Sequence, residues 1–231
     1  MQVLAEINTK LSNNLNTFLA QEHTAYREID LKARAIAEIG QIASEAVDLQ
    51  PNQSEITPIF FEVFSDMILS SYFTACALDK PAQSVLRRAL ELGIAIVYLC
   101  DLPHAFWGWK AHDIDLNFNE MLDHLSKDGY KSFLVSLNPQ YHGETLCDFS
   151  ETRRLYRIMS NTIHGKISTH ESNLQNRFSS NPQDWECNLD LISRVQIILL
   201  QIYKKRFFNY FREMVQKIPA ITTVAEGVNS I

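Results

Sequence analysis

The residues best suited to acid–base chemistry on a phosphate lie close together: Arg153, Arg154, Arg157, Ser160, Asn161, His164 and Lys166. On an α-helix turning about 100° per residue, Ser160, Asn161 and His164 fall within roughly 60° of Arg157, and Leu155, Met159, Thr162 and Ile163 fall around the opposite side. Imidazole exchanges protons near neutral pH, and guanidinium donates paired hydrogen bonds to phosphate oxygens. His164 directly precedes Gly165, a residue type that stops helices, so it is expected at the end of this helix. Such a face could hold a phosphodiester with Arg157 and move protons with His164, Asn161 and Ser160 assisting, while Arg153, Arg154 and Lys166 contact neighbouring phosphates. A solvated surface helix shows the same alternation of polar and apolar faces, so periodicity alone leaves both readings open.

A second group lies upstream in AQSVLRRALELGIAIVYLC, where Arg87, Arg88 and Glu91 are the only charges near the middle of an otherwise apolar helix. Spacings of four and three residues let Glu91 pair with either arginine. Charge in such a place has to be paired, and the pair is expected either to close one end of a bundle or to lie beside the Arg157–His164 stripe and orient it.

The stretch YRIMSNTIHG resembles the signature of the HEPN superfamily, helical bundles marked by an arginine, four to six residues, then a histidine on one helix. Here six residues separate Arg157 from His164. LRRALELGIAIVYL resembles an upstream helix of an uncharacterised bacterial HEPN-like branch, in which an arginine and a glutamate one turn apart precede an apolar run. Many catalytic members carry a polar residue directly after the arginine. This chain has Ile158 there, and Asn161 offers an amide from the next turn. The resemblance implies an all-α HEPN-like bundle that cleaves RNA without a metal or other cofactor, as a toxin or antiviral defence effector, at a site assembled in a homodimer. It implies catalytic roles for Arg157, His164 and Asn161, with Ser160, Arg87, Arg88 and Glu91 in support. An antitoxin or other protein partner fits the same reading. The other class that fits is a non-catalytic helical module in which Arg157 and His164 bind a partner protein or a nucleotide.

Other chemistry finds little support. His23, His104, His112, His124, His142 and His170 show no HExxH-type spacing, and no metal site is expected. Cys76, Cys100, Cys147 and Cys187 are far apart with no CxxC pair. Gly-rich phosphate loops, GxSxG elbows and dinucleotide fingerprints are absent. The segment YKKRFFNYFREM, residues 203–214, mixes cations with aromatics in the manner of a single-strand nucleic-acid surface or of an amphipathic helix with its rings in the core.

The elements that must position these residues read as helices. The chain of 231 residues is 46% hydrophobic with seven glycines and seven prolines, enough apolar mass for one large domain and too little turn chemistry for a β-sandwich. Residues 1–50 read as a helical arm ended by Pro51, residues 51–218 as the bundle core, and residues 219–231 as a frayed tail. A helix is expected from Thr57-Pro58 to Leu78, a central one from Pro81 to Asp101, and an aromatic turn at His104–Trp109. Short helices should follow at Leu116–Leu125 and Tyr130–Leu137. The stripe helix is expected over Phe149–His164, with Asp148 and Glu151 as a capping box, then a polar stretch from Ser168 to Gln183 and one long helix from Trp185 to Lys217. The longest apolar run, Leu92–Cys100, is too short to span a bilayer and no signal-like start is present, so a cytoplasmic location with no membrane partner is expected. Net charge is −6, but residues 150–217 hold 11 Lys+Arg against 6 Asp+Glu, a local +5 compatible with an anion-binding face.

Overall fold

The structure is a computed structural model that describes residues 2–21, 24–47, 49–164, 178–179 and 181–224. Within these the chain is 83% helix, with 11 α-helices and no strand. Helices α1 (Gln2–Leu19), α2 (Thr24–Glu45), α3 (Pro51–Ala75) and α4 (Asp79–Asp101) are followed by the shorter α5 (Pro103–Lys110), α6 (Phe118–Ser126) and α7 (Asp128–Leu137). Then come α8 (Phe149–Ile163), α9 (Pro182–Arg206), α10 (Phe208–Lys217) and α11 (Ile221–Val224). Gly165, Lys166 and most of the Ser168–Gln183 stretch lie outside the described residues, as does the tail from 225.

The centre is α4, whose Leu90, Ile94, Ala95, Ile96, Val97 and Leu99 are fully buried, as its continuous apolar character predicts. Helix α3 runs antiparallel to it: the Asn52 amide donates to the carbonyls of Leu99 and Cys100 at one end, and the Ser70 hydroxyl donates to the Ala82 carbonyl at the other. Helix α9 runs parallel to α4, meeting it successively at Gln83–Asn188, Gly93–Tyr203 and Asp101–Arg206. The two helices pack tightly at Gly93, where a Cβ would stand 2.5 Å from Leu199 Cδ2, so any side chain there would force Leu199 to shift.

Four expectations are corrected. Helix α3 begins at Pro51, nearly two turns before Thr57-Pro58, because proline at the first helical position costs no hydrogen bond. Pro58 then sits inside the helix without ending it. The Ser54 carbonyl that its missing N–H would have bonded is satisfied by the Thr57 hydroxyl at 2.9 Å. Residues 24–45, expected as part of the N-terminal helical arm, pack into the core: Ala33, Ile36 and Ile39 of α2 are fully buried, and Gly40 lets α2 close on Phe60. The long helix expected over Trp185–Lys217 is two helices, broken at Phe207 (φ −114°, ψ 46°) directly after Arg206 pairs with Asp101. His104–Trp109, expected as a turn, is the helix α5.

By length and composition α3 is the one helix among the described residues apolar enough to cross a membrane, and 44% of its apolar window is buried within the bundle. Phe61, Leu69 and Tyr72 remain on its exposed side.

Candidate functional site

Helix α8 is launched by Asp148, whose Oδ1 accepts the Glu151 backbone N–H at 2.9 Å. Only half of the expected capping box forms. The Glu151 carboxylate turns instead to Arg154, at 2.7 Å, and to Arg194 of α9. These contacts, the Arg154 hydrogen bond foremost, hold the Glu151 carboxyl below its ordinary range. Leu155 and Met159 are fully buried, so the apolar face predicted from the sequence is the face that packs. Its outer margin is not covered, and Ile158 and Ile163 are 37% and 41% exposed.

Tyr156 ties α8 to the centre. Its ring stacks on Phe118 at 3.7 Å and 4°, and the Arg87 guanidinium lies over it, 4.7 Å from the centroid. Its hydroxyl donates to Glu91 Oε1 at 2.7 Å and accepts from Arg87 Nη2 at 2.6 Å, while Arg87 also reaches Glu91 at 3.1 Å. The Arg87–Glu91 pair therefore meets α8 one residue before Arg157. Arg88 does not take part: it points to α3, bonding Asp66 at 2.7 Å and Glu62 at 2.9 Å. The two arginines are successive on α4, so they address different neighbours. A second tether lies near the end of α8, where the Thr162 hydroxyl donates to Gln83 Oε1 at 2.6 Å. Gln83 donates on to Asn188 at 3.1 Å, and Asn188 to Asp79 at 2.8 Å.

On this anchored helix Arg157 and His164 are exposed, and neither side chain bonds another among the described residues. Asn161 is half-buried between them, also without a side-chain hydrogen bond there. The Ser160 hydroxyl donates to the Tyr156 carbonyl at 2.8 Å, which occupies its proton within the helix. Arg153 is ion-paired to Asp123 of α6 and Arg154 to Glu151, so both assigned phosphate contacts are already matched by carboxylates. Lys166, the third, is outside the described residues.

No family model, curated protein or solved structure matches this chain.

Tyr156 is the residue that sequence reading missed. A tyrosine beside the arginine, facing the flank of the buried sector, was the available signal, but its partners 65 and 69 residues away had no pattern to link them to it. All four cysteines are free thiols; burial pushes Cys100 up to about 12 and Cys147 up to about 11, so both stay protonated. No cluster of three metal-ligating side chains occurs among the described residues. In the segment 203–214, Phe211 and Met214 are buried, Arg206 pairs with Asp101 and Lys205 with Glu144, so much of it is spent on packing, while Arg212 stays exposed over the Phe208 ring.

Proposed function

We propose that this protein is a metal-independent endoribonuclease of the HEPN type, a cytoplasmic homodimeric toxin or antiviral defence effector acting through Arg157 and His164 of α8. The observation that carries the reading is that these two side chains stand exposed and unengaged on one face of a helix whose other arginines are held by carboxylates. A single arginine and histidine without partners among the described residues are poised to meet an anion from outside.

In the reaction the ribose 2′-oxygen attacks the adjacent phosphorus as its proton leaves, the P–O5′ bond breaks, and the departing 5′-oxygen takes up a proton. The products are a 2′,3′-cyclic phosphate and a 5′-hydroxyl end. His164 serves one of the two proton transfers, and Arg157 stabilises the charge gathering on the phosphorane-like oxygens. Asn161 orients the phosphate from the turn between them. Arg87, Glu91 and Tyr156 hold the helix in place and do not touch substrate. A second copy of the stripe, facing the first across a two-fold axis, would double the groups available to one phosphate.

The exposed Ile158 and Ile163 flanking the stripe favour a second reading, a protein-binding face without catalysis. The purified protein incubated with total RNA and excess chelator distinguishes them. Fragments carrying cyclic phosphate ends are the expected result, and intact RNA beside a folded protein would leave the binding reading in its place.

A further inference from the structure

A separate pair of cavities lies at the other end of α4. Asp101 stands 18 positions beyond Gln83, which holds the end of α8, and ten beyond Glu91, which holds Tyr156 beside Arg157, so the two regions are roughly 15–27 Å apart along α4 at about 1.5 Å per residue. One cavity, ≈ 560 Å³, is walled by Phe60, Phe207, Phe208 and Tyr210, with the carboxamides of Gln53 and Asn138. The other, ≈ 550 Å³, is lined by Asp101, His124, Lys127, Tyr130 and Phe133. Gln53, Cys100 and Arg206 line both, so the cavities adjoin at the Arg206 side chain. Each has the size of a small-molecule site.

Charge decides what such a site accepts. Arg206 gives Nε and Nη2 to the buried Asp101 carboxylate, which also accepts the Tyr130 hydroxyl at 2.7 Å, so Asp101 is saturated. Arg206 Nη1 has no partner among the described residues. Lys127 is exposed at the N-terminus of α7, with no carboxylate within reach among the described residues. Lys205, on the wall of the first cavity, is neutralised by Glu144 at 2.8 Å. His124 has no side-chain hydrogen bond among the described residues, and burial, with Lys127 nearby, pushes it down toward the neutral form. Arg206 cancels against Asp101 and Lys205 against Glu144, which leaves Lys127 as the one uncompensated positive charge lining these cavities among the described residues.

We propose that these joined cavities bind a small aromatic monocarboxylate, its ring against Phe207 and Tyr210 and its carboxylate between Lys127 and Arg206 Nη1. A single positive charge suits a monoanion better than a phosphate monoester, which carries close to two negative charges. The aromatic walls supply the apolar contact that a small ligand needs, and the cation fixes its orientation.

The test is calorimetric titration of the full chain carrying His164→Ala, so that the α8 stripe contributes as little as possible. The probes are 1-naphthaleneacetate, its neutral amide, and 1-naphthyl phosphate. The acid is expected to bind at least tenfold more tightly than either of the others. Lys127→Glu, an exposed change that leaves the bundle intact, should weaken the acid tenfold or more, and Arg157→Ala should leave it unchanged. No binding of the acid at 1 mM, equal binding of acid and amide, tighter binding of the phosphate, an unaffected Lys127→Glu protein, or loss of binding in Arg157→Ala would each overturn the assignment.

Discussion

Arg157 and His164 have few interactions to lose. Both are exposed, so truncating either removes no core contact, and stability should change by about 1 kcal/mol at most. Tyr156, one residue away, behaves in the opposite sense. Tyr156→Phe keeps the stack on Phe118 but removes the hydroxyl that joins Glu91 to Arg87. Unfolding free energy in urea should fall by about 1–2 kcal/mol, in the range for hydrogen bonds to charged groups at a partly exposed site. Lys32 makes a pH prediction. It is 1% exposed, held by the Ser193 hydroxyl at 2.7 Å, and desolvation lowers its pKa despite the nearby Glu28. Between the lowered folded value and the ordinary lysine value the unfolded chain binds more protons, so stability should rise with pH across that alkaline window. Replacing it by methionine should flatten that rise and leave the neutral-pH melting temperature unchanged or higher. The stripe was legible in the sequence because helical geometry fixes which residues share a face. Tyr156 and Lys32 were not, because each depends on partners supplied by distant helices.

Among the elements, those with local signals were the ones the sequence foretold. Asp148 capping α8 and the unbroken apolar character of α4 needed no tertiary knowledge. Pro58 misled because the Thr57 hydroxyl compensates for it, a detail of side-chain geometry. The break at Phe207 was hidden because apolar periodicity continues through it; it falls directly after Arg206, whose partner Asp101 lies 105 residues away in sequence. Gly93 tests the account of element packing. Gly93→Ala would drive a Cβ to 2.5 Å from Leu199, and the α4–α9 contact should lose about 1–3 kcal/mol by overpacking even though alanine is the better helix former. A melting temperature equal to or above the wild-type value would show that α9 can shift, and that the glycine is not required by contact.

For the whole molecule, the acidic total and the positive segment 150–217 proved a poor guide to where free cations stand. Most basic side chains of α8, α9 and α10 are spent on intramolecular carboxylates, which leaves Arg157 as the exception on α8. The bundle anchors α8 through Tyr156 and Thr162, and the proposed chemistry rests on the stripe that this helix carries. The most direct test is therefore the ratio of RNA cleavage rates, with chelator present, between wild-type protein and His164→Ala, each checked for an unchanged melting temperature. Loss of a general acid–base group predicts a rate lower by roughly 10²- to 10⁴-fold at equal stability. A folded His164→Ala protein that cleaves RNA at the wild-type rate would contradict the account.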